Sequence, residues 1–316
     1  MTKTRKRPTD GQINPRQACP CGSGKRYKAC HGNPGGNQDV IASRPFAGLA
    51  AECQLVALRE FVPSATAPLP LAQPADRDVT LATVLPTAAA AVVRPDGAAL
   101  VGLQVLARSG DLSRDLGRAL SWALTAAPGS VLPVVSTTAE GEQIRLPDLL
   151  RADTPLDVTM YPDFAWWIPD EQHPSGEVAA SLQRANAAIM PTEAVTGVGV
   201  EAAYWVDAGG KAHLRWVRPE PEDQLLTALA RLAARDELEL GEGSRFAGSF
   251  RAHGVLVPVW DLDPEQHARE WAAPAEAFAL RLTQALASVD PLEGASLTDP
   301  EHHALRALRA RQITLR

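Results

Sequence analysis

Ala203-Tyr204-Trp205-Val206, the tetrad Asp207-Ala208-Gly209-Gly210, and Ala212-His213-Leu214-Arg215-Trp216 form the stretch whose reading decides the fold. Two short runs rich in β-branched and aromatic residues flank a cluster of turn formers, which is the signature of a β-hairpin. The same punctuation stands earlier: Ala90-Ala91-Val92-Val93-Arg94, the turn Pro95-Asp96-Gly97, and then Ala99 to Val105. A helical stripe follows each hairpin, Leu112, Leu116, Leu120 and Leu124 after the first, and Leu225, Leu229 and Leu232 after the second. Apolar residues three and four apart cover one face of a helix, so strand pairs and helices alternate and the fold class is α+β.

Further out, each hairpin and helix leads to a tryptophan-bearing segment read as a strand, Asp163-Phe164-Ala165-Trp166-Trp167 in one case and Val255 to Trp260 in the other. These run into Asp170-Glu171-Gln172-His173 and Pro264-Glu265-Gln266-His267. Trp166 to Trp260 and His173 to His267 share an offset of 94 residues. The expectation is a degenerate duplication, two hairpin-helix-strand-helix units at residues 79–190 and 191–316, the second ending in a C-terminal helix, whose sheets join or pack face to face.

Upstream of the units, Leu49, Cys53, Val56 and Glu60 fall at helical spacing, and Pro63 stops the helix. Pro68, Pro70 and Pro74 make the following stretch a stiff extended connector, so residues 34–78 read as linker, helix and Pro-rich connector. Cys53 lies on the apolar stripe and is expected to pack as a small hydrophobe rather than act as a redox group.

The repeated Glu-Gln-His can be read as an acid/base or metal cluster made twin by duplication. Helix capping is the stronger reading: Asp263 as N-cap acceptor, Pro264 in the first turn and Gln266 at the third position, with Asp170 placed likewise. His173 and His267 would be functional only if they converge on one cleft. His213 lies on the polar phase of its strand and is expected to be solvated. His302 and His303 follow Thr298-Asp299-Pro300, another helix start, and have no neighbouring Cys or His to act with. The tryptophans are expected mostly in the core. No catalytic residue is assigned.

Near the amino terminus stands Cys19-Pro20-Cys21-Gly22-Ser23-Gly24-Lys25-Arg26-Tyr27-Lys28-Ala29-Cys30-His31, three thiols and an imidazole within thirteen residues. A Cys-x-Cys arm facing a Cys-His pair can supply four zinc ligands from one loop, leaving no position for water or substrate, so the metal would be structural. Three thiolates on Zn²⁺ leave one excess negative charge, which Lys25, Arg26 and Lys28 can offset. Four cysteines also permit two disulfides, but no secretory signal is read at the start of the chain, and a reducing compartment favours metal. A phosphate loop is excluded, because the first glycine is missing and Arg26 stands where Ser or Thr would hold Mg²⁺.

This stretch resembles the SEC-C motif, known from the carboxyl-terminal tail of the preprotein translocase ATPase SecA. The resemblance covers residues 15–33 and implies zinc ligation by Cys19, Cys21, Cys30 and His31. It further implies docking on a protein partner, an export chaperone or the ribosome. None of the motor's nucleotide-binding motifs follows, so the chain is not a translocase motor. The order of SEC-C motif, helix and long Ala/Arg-rich body also resembles an uncharacterised family of high-GC bacteria, which implies no activity.

The 316 residues are 45% hydrophobic and 22% charged, enough to bury a large core. Residues 1–31 hold eight Lys and Arg against Asp10 alone, a net +7, so the total of −6 leaves −13 for the remainder. A basic head, whose first 14 residues are read as a disordered tail, thus rides on an acidic body and can meet nucleic-acid phosphates or an acidic protein face. The run Ala88 to Val93 is far too short to span a bilayer, and a cytoplasmic address is expected. The absence of a nucleophile elbow, dinucleotide fingerprint or zinc-protease helix leaves three classes. The first is a non-enzymatic adaptor in translation, export or quality control. The second is an enzyme with its site between the two units, and the third an RNA-binding protein.

Overall fold

The computed structural model describes residues 26, 43–105, 110–135, 144–168, 174–288 and 297–313. Among them the chain is α+β, with seven α-helices and two six-stranded sheets.

The first sheet is built from β1 (Ala65–Pro68), β2 (Val79–Ala82), β3 (Ala91–Val93), β4 (Ala99–Gly102), β5 (Val131–Leu132) and β6 (Thr159–Met160), in the order β5-β3-β4-β2-β1-β6. The β3–β4 hairpin forms as read. Asp96 Oδ1 accepts the Ala98 N–H at 2.9 Å, and Gly97 takes φ +91°, a left-handed conformation costly to any residue with a Cβ. Helix α2 (Leu112–Thr125) starts where Asp111 Oδ1 accepts the N–H groups of Ser113 and Arg114, at 3.1 and 3.3 Å. It buries Leu112, Leu116 and Leu120, three of the four stripe residues, under β2, β3 and β4. The short α3 (Leu146–Leu149) packs beside it.

The second sheet contains β7 (Thr192–Gly197), β8 (Val200–Asp207), β9 (Ala212–Trp216), β10 (Ser244–Ala252), β11 (Val255–Leu262) and β12 (Gln312–Ile313), in the order β12-β10-β11-β9-β8-β7. One face is covered by α5 (Glu222–Ala233), α6 (Ala272–Ala287) and α7 (Asp299–Ala310). Trp216, Trp260 and Phe278 meet one another there in tilted and edge-on ring contacts, in one apolar cluster with Leu225, Leu229 and Leu232.

Helix α1 (Glu52–Glu60) lies against the opposite face of the second sheet. One apolar cluster joins its Leu55, Val56 and Leu58 to Leu81 and Val101 of the first sheet, Leu116 of α2, and Tyr204, Phe250 and Val257 of the second sheet. The seam between the sheets is therefore packed with side chains.

Three local expectations are corrected. The Pro-rich stretch is no mere connector: Ala65–Pro68 pairs with both β2 and β6, and Pro68, lacking an N–H, closes the strand. Ala165–Trp167 is a 3₁₀ turn rather than a strand, because Asp163 Oδ1 takes the Ala165 N–H at 2.8 Å and turns the chain. Asp263 and Pro264 form an Asx turn, with Glu265 N–H on Asp263 Oδ1 at 2.9 Å. The helical segment begins one turn later, at a 3₁₀ stretch Ala268–Trp271 that runs into α6.

The expected duplication is not reproduced in the pairing. In the first sheet β2 and β4 run parallel, whereas the second joins β9 to β11 antiparallel and places α5 ahead of its β10–β11 hairpin. Trp166 and Trp260, 94 residues apart, thus occupy different structures, one a 3₁₀ turn and the other β11.

Candidate functional site

The sequence-level metal ligands Cys19, Cys21, Cys30 and His31 lie outside the described residues. Among the described residues no group of three or more His, Cys, Asp or Glu side chains could hold a metal ion. The donor set of the amino-terminal loop, three thiols and an imidazole, suits tetrahedral Zn²⁺ by chemistry and number.

Cys53 is partly buried against the seam cluster and lines a cavity of 280 Å³ with Glu52, Glu201 and Arg218. Burial, reinforced by the neighbouring Glu52 carboxylate, pushes its thiol up to about 12. Such a thiol stays protonated and is a poor nucleophile or metal ligand.

The histidines separate. His213 is not simply solvated, since its Nδ1 lies 3.1 Å from Asp261 Oδ1, on the neighbouring strand β11. His267 stacks on Trp205, with centroids 5.5 Å apart, and its Nε2 stands 3.1 Å from Glu193 Oε1. Its backbone N–H is accepted by Glu270 at 2.8 Å, so the capping expected of Asp263 and Gln266 passes to His267 and Glu270. His173, with Asp170, lies outside the described residues. His302 and His303 are exposed on α7, which starts at Thr298 as the sequence suggested and is closed there by the Glu301 carboxylate.

A broad cleft lies on the face of the first sheet turned away from α2, where Thr66, Thr80 and Leu100 form a floor beneath about 590 Å³ of space. Trp166 and Tyr161 make one wall, with ring centroids 5.6 Å apart. The indole is fixed by Nε1 donating to Ser64 Oγ at 2.8 Å, and the Tyr161 hydroxyl sits 3.1 Å from Thr66 Oγ1. Arg94 and Arg77 face this wall, each held by backbone carbonyls: Arg94 donates to Trp166 O at 2.8 Å, and Arg77 to Ala126 O, beyond the end of α2, at 2.9 Å. Aromatic faces and guanidinium donors around a floor of hydroxyls are equipment for recognition. The sequence reading missed this cleft, because it placed Trp166 in a core strand; the available signal was the Trp166-Trp167 doublet two residues after the turn formers Pro162-Asp163.

Comparison with known proteins gives two matches. Residues 45–316 match a family of unknown function (DUF5926), and residues 16–33 match the SEC-C motif. No curated protein and no solved structure matches the chain.

Proposed function

The chain belongs to the family of unknown function DUF5926, and we propose that it is a non-enzymatic adaptor, with a zinc-held SEC-C module at one end and a partner-holding α+β body. The observation that carries this reading is the division of the chain into a compact motif at 16–33 and a separate body match beginning at residue 45. In this reading Cys19, Cys21, Cys30 and His31 hold Zn²⁺ as a structural ion. Bound zinc would fix the loop, with Lys25, Arg26 and Lys28 presenting positive charge around it. A module closed on four protein ligands offers a docking surface and no open coordination position.

Two features of the body support an adaptor over an enzyme with its site between the sheets. The seam is filled by Leu55, Leu58, Phe250 and Val257 from both sides. The broad cleft lies elsewhere, on the outer face of the first sheet, with recognition groups along it. The partner of the module, by resemblance, is an export chaperone or the ribosome, met in the cytoplasm.

The test compares the intact chain with a Cys19→Ser/Cys30→Ser variant in two readouts, zinc content by mass spectrometry and quantitative affinity capture from native lysate. The intact chain should carry about one zinc and retain a ribosomal or export-chaperone partner that the variant loses, while both bodies melt alike. Capture that is identical with and without zinc would overturn the reading. Capture that depends on RNA and falls steeply with salt would assign the basic head to nucleic acid instead.

A further inference from the structure

Arg215 carries a positive charge into the edge of the seam, and among the described residues it has no counter-ion. Along β9, Ala212, Leu214 and Trp216 point into the core beneath α5 and α6, so His213 and Arg215 face the opposite side, toward α1. There the end of α1 leaves part of the sheet uncovered, and a groove of about 430 Å³ opens, walled by Phe61, Phe250 and Val259. The Arg215 guanidinium carbon sits 5.6 Å from the centroid of the Phe61 ring. Among the described residues Arg215 makes no hydrogen bond and no ion pair, and burial alone lowers its pKa from the ordinary value.

The acids of the same groove are already engaged. Asp261 accepts Arg245 at 2.7 Å and stands 3.1 Å from His213 Nδ1, while Glu60 and His253 Nε2 share a hydrogen bond of 2.7 Å. Among the described residues Arg215 therefore has no free acid to turn to. The guanidinium donors of this half-buried residue have only water to meet, and a carboxylate brought into their plane would engage them through two parallel hydrogen bonds. Phe61 covers the guanidinium by a cation–π contact, which occupies the charge from the side and leaves the in-plane donors free.

We propose that this groove binds a small monocarboxylate carried on an aromatic or other apolar body, with Arg215 as its anchor. The apolar walls fit the body and the single unanswered charge fits one carboxylate. A doubly charged phosphate suits the groove less well, because Glu60 and Asp261 stand on its rim and repel the second charge. The assignment stands apart from the adaptor reading and does not depend on zinc.

The experiment titrates the full-length, zinc-loaded chain with benzoate, its neutral counterpart benzamide and inorganic phosphate, by calorimetry and ligand-observed NMR. Benzoate should saturate with a Kd of about 1 mM, and benzamide and phosphate should bind at least about tenfold more weakly. Arg215→Met and Arg215→Gln should each lose about tenfold or more in benzoate affinity, whereas Arg235→Met, at an exposed pair with Glu237, should leave it unchanged. Circular dichroism and melting of both Arg215 variants establish that they are folded; because the side chain makes no hydrogen bond or ion pair among the described residues, only its cation–π contact with Phe61 is lost and the melting point should fall little. Benzamide binding as well as benzoate, phosphate binding better than benzoate, no saturation up to about 20 mM, or undiminished binding in the folded Arg215 variants would each overturn the proposal.

Discussion

His253 Nε2 lies 2.7 Å from Glu60 Oε1, so the turn between β10 and β11 is tied directly to the last residue of α1. His253 and Gly254 both take positive φ, +47° and +81°, as a two-residue hairpin turn requires. The contact thus holds a tight turn of the second sheet to the helix that the seam encloses.

The pH dependence of this contact follows from the carboxylate. The hydrogen bond from His253, more than the nearby charges of His253 and Arg59, holds the Glu60 carboxyl below its ordinary value of 4.5, against the opposing effect of burial. A carboxyl whose pKa is lower folded than unfolded stabilises the fold above the ordinary value, and that contribution disappears as pH falls through the depressed one. Glu60→Gln should therefore cost about 1 kcal/mol at pH 7, with the gap from the parent closing as the pH is taken progressively below 4.5. Urea unfolding at several pH values reads it; a gap of constant size down to pH of about 3 would contradict the assignment.

Gly117 inverts the usual rule for glycine in a helix. It lies inside α2, where Ala would normally add about 0.5–1 kcal/mol of stability. A Cβ at this position, however, would stand 2.6 Å from the Ile144 carbonyl oxygen and 2.9 Å from the Arg145 carbonyl carbon, both backbone atoms with little room to withdraw. Gly117→Ala should instead destabilise by about 1–3 kcal/mol through overpacking between α2 and the segment leading into α3. A variant that melts above the parent would show that this segment yields without strain.

Tyr204 joins the second sheet to α1 and the residue that follows it, its hydroxyl on Gln54 Oε1 and its ring edge-on to Phe61 at 5.8 Å. The hydroxyl is buried and ionises well above the ordinary range, so it serves only as a neutral donor. Tyr204→Phe removes the donor, leaves the Gln54 carbonyl without its partner, and should cost about 1–2 kcal/mol. Adding Gln54→Met should recover part of that loss, because both polar groups are then gone. Additive losses in the double variant would deny the coupling.

The sequence made local pairing legible and left long-range pairing hidden, for identifiable physical reasons. Asp96-Gly97 and Asp207 to Gly210 specify hairpins by themselves, because an Asp carboxylate takes an N–H two residues on and glycine accepts positive φ. The leucine stripes of α2 and α5 likewise need only their own spacing. In contrast, Ala65–Pro68 becomes a strand only because Val79–Ala82 and Thr159–Met160 flank it, the latter more than ninety residues on. His213 finds Asp261 only through the β9–β11 pairing, and Trp166 reaches Ser64 across the fold. The outer cleft is assembled from such distant pairs, so no window of sequence displays it.

The four cysteines, Cys19, Cys21, Cys30 and Cys53, offer a count that tests the metal reading and the burial of α1 together. Cys53 is held protonated by its surroundings, with a thiol pKa pushed up to about 12, so at pH 8 it should react only slowly with an aromatic disulfide reagent. If Cys19, Cys21 and Cys30 are zinc-bound, they too should react slowly in the intact chain. A strong chelator should then release about one zinc and expose three fast thiols, while the fourth appears only in denaturant. Three fast thiols without chelator would remove the metal from the amino-terminal loop. Four fast thiols after chelation, with the melting curve of the body unchanged, would instead show that α1 opens to solvent and that the seam around Cys53 is looser than its packing implies.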